Sequence, residues 1–125
     1  MFKTISIWSA PQPADQAAFE DYYLSVHTPL AARVPGLIRF ESTLTTNEIA
    51  GVTPAFYRVA ELYFSSAEEF LEATETQEWA DLNEDAGYII GRFGMTIQSA
   101  LGTPSDVELA PHAPIPPAQS VLRSA

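Results

Sequence analysis

The apolar pattern of this 125-residue chain switches between period two and period three-to-four, and the order of the switches leaves few folds open. Phe2–Trp8 is rich in β-branched and aromatic residues and reads as a strand. A helical segment spans Asp15–Val34, opening after Pro11 and Pro13 with Asp15 as its cap, and Pro35-Gly36 stops it. Leu37–Thr46 is a second strand, Asn47–Phe56 a loop carrying Gly51 and Pro54, and Tyr57–Phe64 a third strand. Ser66-Ala67-Glu68-Glu69 is a capping box that starts a second helix. That helix carries Phe70, Leu71 and Ala73, breaks or shifts around Thr76–Glu78, and resumes through Trp79 and Leu82 until Gly87 ends it. Tyr88–Ser99 is the fourth strand. The order β-α-β-β-α-β predicts an α+β, ferredoxin-like fold: a four-stranded antiparallel sheet with both helices on one face.

Such a sheet has a second face that needs a cover. Alternation assigns Ile5, Ile7, Ile38, Phe40, Leu44, Ala60, Leu62, Phe64, Phe93, Met95 and Ile97 to the helices. It assigns Trp8, Arg39, Glu41, Tyr57, Glu61, Tyr63, Arg92 and Gln98 to the opposite side. That mixture is too aromatic for water and too charged for a private core. A second copy meeting it with an identical sheet would bury the aromatics and pair Arg39 or Arg92 with Glu41 or Glu61, which predicts a homodimer.

The segment Asp21-Tyr22-Tyr23-Leu24-Ser25-Val26-His27-Thr28-Pro29-Leu30 carries the chemistry. Phe19, Tyr23, Val26 and Leu30 repeat at three and four residues, and His27 follows Tyr23 by one turn, so its ring lies beside a buried stripe. Pro29 has no N–H for the carbonyl of Ser25 and pushes Thr28 out of helical dihedrals. A helix that ends at this proline leaves carbonyls unpaired beside the imidazole, which favours the protonated ring. A histidine on a helix edge is more often a structural group bonded to a carbonyl or carboxylate, and both readings stand at this point.

A net charge of −10 argues against nucleic acid and against an anionic membrane surface. No apolar run approaches a membrane-spanning length, and Met1–Ala10 is too short and polar for a secretory signal, so a cytoplasmic protein is expected. With no cysteine there are no disulfides, thiolate metal sites or Cys nucleophiles. His27 and His112 are far apart, so no two-histidine metal site is expected. The carboxylates from Glu68 to Asp85 read as the solvated face of the second helix. Residues 1–102 are expected to form the domain. Residues 103–125 hold five of the ten prolines and are expected to be a disordered tail or an arm on a partner subunit, with Val107, Leu109, Ile115, Val121 and Leu122 as its apolar points.

Tyr22-Tyr23 followed by His27-Thr28-Pro29-Leu30, in the first helix of a β-α-β-β-α-β chain, resembles the EthD proteins of the dimeric α+β barrel superfamily. The resemblance covers Phe2 to about Ser99. It implies a homodimer built from two sheets, with a ligand cavity in each subunit. Related barrel families include cofactor-free isomerases and polyketide cyclases, small monooxygenases and haem-binding proteins, so the fold alone does not assign a function. On this basis the expected activity is that of a cofactor-independent lyase, isomerase or cyclase acting on a small apolar, aromatic or lactone-like molecule. His27 would be its general acid or base and Tyr22 or Tyr23 a donor to the developing oxyanion. Trp8 and Phe40 would line the pocket, with Arg39 and Arg92 as candidate anion anchors; no cofactor and no metal are expected. The alternatives are a haem-binding protein with His27 as axial ligand, or a non-catalytic accessory protein that binds a small ligand.

Overall fold

In the computed structural model, which describes residues 1–45 and 49–116, strand β1 (Phe2–Trp8) runs through the middle of a four-stranded antiparallel sheet. It pairs with β3 (Arg58–Phe64) on one side and β4 (Ile97–Gly102) on the other, and β2 (Leu37–Leu44) closes the far edge against β3. The order β2-β3-β1-β4 with helices in both crossovers is the expected ferredoxin-like α+β architecture. The expected ends of β2 and of the following loop at Thr46 and Asn47 fall outside the described residues, as do Val121 and Leu122 of the tail.

The first crossover is helical from Pro13 to Ala31: a 3₁₀ turn (Pro13–Asp15), α1 (Gln16–Tyr22), a π-helical turn (Tyr23–His27) and α2 (Thr28–Ala31). Pro29 therefore does not end the helix. Its missing N–H is absorbed by a switch of hydrogen-bond period, with Thr28 N donating to Tyr23 O five residues back and Thr28 Oγ1 donating to Leu24 O at 3.1 Å.

The second crossover breaks where expected. Ser66 caps α3 (Ala67–Ala73) by accepting from Glu69 N at 3.1 Å, and Thr76 caps α4 (Gln77–Phe93) by accepting from Trp79 N at 3.3 Å. Gly87 does not stop α4. Buried Leu82, Ile89 and Phe93 carry the helix through it, and Gly94, at a left-handed φ of 64°, is the true cap. The fourth strand consequently starts at Ile97, and Tyr88 and Arg92 belong to the helix.

The two faces of the sheet also depart from expectation. On β1 the residues turned toward the helices are Phe2, Thr4, Ser6 and Trp8, leaving Ile5 and Ile7 outside. Trp8 and Tyr57 are buried in the interior. A bulge between Leu37 and Arg39 turns Ile38 out to 55% exposure, while Phe40 and Ser42 point inward. The apolar interior is two clusters, one around Val34, Leu62, Phe64 and Phe70 and one around Trp8, Phe19, Tyr23, Ile89 and Met95. A cavity of about 250 Å³ takes side chains from both. Residues 103–116 form no helix or strand and are exposed from Ser105 onward.

Candidate active site

The π turn does more than accommodate Pro29. It also carries Tyr23 and His27, four residues apart and so on one side of the helix, whose rings stack with centroids 5.3 Å apart and planes 25° from parallel. Both side chains face the sheet. His27 is 7% exposed, meets Trp8 edge-on at 5.8 Å, and lines the cavity with Trp8, Phe40 and Tyr23.

Opposite the π turn, α4 places Asp85 so that its Oδ2 lies 2.7 Å from His27 Nδ1. An ionised carboxylate only accepts, so Nδ1 carries the proton. Among the described residues nothing bonds Nε2, and no buried side-chain nitrogen or oxygen there is sealed without a partner, so Nε2 opens onto the cavity. Burial pulls the His27 pKa below its ordinary value; the Asp85 hydrogen bond and charge pull upward but do not overcome it. The protonated ring expected from a terminating helix is therefore corrected to a neutral one. The helix continues past His27, so no row of free carbonyls faces the ring.

Tyr22 donates to the other oxygen of Asp85. Burial first, and then this hydrogen bond, push its phenol above the ordinary range, so it stays a donor. Tyr22 thus holds the carboxylate and does not line the cavity; it faces a separate groove shared with Tyr88. The Tyr23 hydroxyl is engaged with Ser42 at 2.7 Å.

A second buried network supports this arrangement from below. Arg58, 4% exposed, donates through Nη2 to Glu20 Oε1, through Nε to Glu20 Oε2 at 3.0 Å and through Nη1 to Ser42 at 3.1 Å, and its guanidinium lies 4.8 Å from the Tyr23 ring centre. Tyr57 donates to the same carboxylate at 2.8 Å. Burial drives the Glu20 pKa upward, but the bonds from Arg58 and Tyr57 outweigh it and hold the acid ionised. Burial and Glu20 together push Tyr57 up to about 12.

The structure brings His27, Tyr23, Trp8 and Phe40 to one cavity and leaves three expected residues outside it, Tyr22 being the first. Arg39 lies on the outer face, bonded to Glu41 at 2.9 Å beside Tyr63, and Arg92 is exposed on α4 over the ring of Phe93. Asp85, expected on the solvated face of the second helix, is corrected to a buried partner of His27, and Arg58 escaped the sequence reading. The signal for Asp85 was its place three residues after buried Leu82 and four before buried Ile89, on the apolar side of an acidic helix. That for Arg58 was its alternation with Ala60, Leu62 and Phe64.

The family model of the EthD domain matches residues 11–91, which contain the π turn, His27 and Asp85. The chain belongs to the EthD family. A relative from Rhodococcus erythropolis, an uncharacterized 11.0 kDa protein of the thcB-thcC intergenic region, is 38% identical over 66 residues, 53% of this chain and 63% of that protein. The match thus spans less than two-thirds of that relative's length. The crystal structure of an ethyl tert-butyl ether d (EthD) family protein from Bacillus halodurans C-125 superposes with a TM-score of 0.71 at 28% identity, covering 84% of this chain and 99% of that one. SnoaB, a cofactor-independent oxygenase from Streptomyces nogalater, shares the fold at a TM-score of 0.58 and 17% identity, covering 85% and 95%. Among the described residues no helix is long and apolar enough to cross a membrane.

Proposed function

We propose that this EthD protein is a cofactor-independent lyase, isomerase or cyclase that moves a proton on a small, mostly apolar molecule, with His27 as general base. The supporting observation is the His27–Asp85 pair at 2.7 Å, with Nε2 turned to a cavity of about 250 Å³. An engineered apolar cavity of roughly 150 Å³ admits benzene, so this one suits a substituted ring. Nε2 takes a proton from a carbon next to a carbonyl, and the C–H electrons form the enolate. Asp85 stabilises the imidazolium, which then returns the proton to another carbon or to a leaving group. A neutral resting imidazole is the form such a base needs.

Deuterium uptake from D₂O into a panel of aryl and cyclic ketones, followed by NMR, tests this. The wild type is expected to accelerate uptake into at least one ketone, and His27→Ala to lower that rate by roughly 10²–10⁴-fold. A rate unchanged in His27→Ala removes the general base.

The haem alternative fits the residues poorly. Among the described residues the cavity is lined by no lysine or arginine to meet two propionates, and its volume lies below the roughly 300 Å³ at which pockets for drug-sized ligands begin.

We also propose that the chain works as a homodimer through the outer face of the sheet. Ile5, Ile7 and Val59 make an aliphatic strip there, bordered by the Lys3–Glu61 pair at 2.6 Å, the Arg39–Glu41 pair and Tyr63. Residues 103–125 would then act as a tail outside the 1–102 domain. Sedimentation is expected to give a dimer for the wild type and a monomer for Ile7→Lys; a monomeric wild type contradicts the interface.

A further inference from the structure

Two buried donors in the cavity wall have no role in the mechanism above. Trp8 is 1% exposed and Thr4 5%, and both line the cavity. Among the described residues neither the Trp8 indole N–H nor the Thr4 hydroxyl has a hydrogen-bond partner, and no buried side-chain nitrogen or oxygen there is sealed off unpaired. Both groups therefore open onto the cavity. A buried indole N–H or hydroxyl without a partner is costly, and such groups ordinarily find one.

Between them on the same face lies Ser6, whose Oγ is 3.1 Å from Ser99 Oγ on β4, in register across the strands. Two hydroxyls bonded to each other use one hydrogen and leave the other to donate. Strand geometry spaces Thr4, Ser6 and Trp8 at roughly 7 Å intervals along β1. Trp8 stands nearest the base, its ring centre 5.8 Å from that of His27.

We infer that the inner face of β1 is the oxygen-binding wall of this cavity, selecting an uncharged, ring-sized compound with a carbonyl or hydroxyl oxygen, and that Trp8 donates to the oxygen beside His27. Every group on the wall is a neutral donor. Apart from His27, no lining residue is ionisable at neutral pH, and Asp85 stands directly behind the imidazole. A carboxylate or phosphate ligand would lose its hydration with no cation to replace it and would meet a like charge. A neutral carbonyl oxygen loses little and gains a donor. During proton abstraction the negative charge develops on that oxygen, where the Trp8 N–H lowers its energy. This rests on the general-base reading for the enolate but not for the binding.

Binding of three ligands of nearly one shape, followed by ligand-observed NMR, separates the two. They are acetophenone, α-methylstyrene (a methylene in place of the oxygen) and benzoate. The wild type is expected to bind acetophenone about fivefold more tightly than α-methylstyrene, the worth of one hydrogen bond, and benzoate at least tenfold more weakly than acetophenone. In Trp8→Phe the preference for ketone over alkene is expected to fall within about twofold, and in the milder double variant Thr4→Val/Ser6→Ala, which keeps the indole N–H, to fall by less. Equal wild-type affinity for ketone and alkene, benzoate binding as tightly as ketone, or a preference that survives both variants overturns the wall. The wild-type comparison stands even if Trp8→Phe misfolds. Deuterium uptake into the methyl group of bound acetophenone reports on the base alone: preference without uptake keeps the wall and removes the general base.

Discussion

His27 Nδ1 and Asp85 Oδ2 lie 2.7 Å apart although 58 residues separate them, one on a π turn and the other on the helix that packs against it. The contact exists because α4 runs through Gly87, keeping Asp85 in the interior of a long helix. Both side chains are about nine-tenths buried. Two opposing influences meet at the imidazole: burial, which favours the neutral ring, and the carboxylate, which favours the charged one.

Asp85→Asn removes only the second influence. The His27 pKa, followed by NMR titration, is expected to fall further below its wild-type value, and deuterium uptake to drop at least about tenfold as the imidazolium loses its partner. An unchanged or raised pKa would show that the carboxylate is not acting on the ring.

The same depression fixes a pH dependence of stability. The folded pKa of His27 lies below its unfolded value of about 6.5, so between the two the unfolded chain holds a proton that the folded chain does not. Stability therefore rises with pH through that window and is lost on acidification. Urea denaturation at a series of pH values is expected to show a shallower loss below about pH 6.5 in His27→Gln than in wild type. The Glu20 window lies lower, because its folded pKa is held below the ordinary carboxylate value and its contribution goes as pH falls through that value.

Arg58→Met leaves the Glu20 carboxylate and the Tyr23–Ser42 pair without their cation. It is expected to cost about 3 kcal/mol in chemical denaturation, at the low end for a broken buried pair because Glu20 keeps some contact with water. Adding Glu20→Gln is expected to recover part of the loss, and a loss that grows instead would mean that the pair is not coupled.

Gly87, inside α4, and Gly94, its C-cap, should respond in opposite directions. Gly87→Ala, exposed in the helix interior with open space around its Cα, is expected to raise stability by about 0.5–1 kcal/mol. Gly94→Ala, at a φ of 64°, is expected to lower it by about 1 kcal/mol. Both are read as shifts in thermal melting.

These glycines also show where sequence reading stopped. A lone Gly87 after an amphipathic run looks like a cap, and only the burial of Ile89 and Phe93 tells that the helix goes on. The strand order, the break at Thr76 and the inward His27 were legible, since each depends on local periodicity or capping chemistry. The inner face of β1 was not. Alternation assigns the apolar set to the interior, but Thr4 and Ser6 face a cavity while Ile5 and Ile7 lie outside, and a shift of one residue reverses every side chain. Asp85 was hidden for a related reason: one buried acid in an acidic helix has no local mark, and its partner comes from another element.

The central claim is that His27 rests as a neutral imidazole with its proton on Nδ1 and its lone pair facing the cavity. In a His112→Ala variant His27 is the only imidazole, and long-range ¹H–¹⁵N correlation near neutral pH reports its tautomer directly. The expected spectrum has a protonated Nδ1 and an unprotonated Nε2, with Nδ1 losing its low-field proton in Asp85→Asn. A ring protonated on Nε2, or an imidazolium at that pH, contradicts the base assigned to this site.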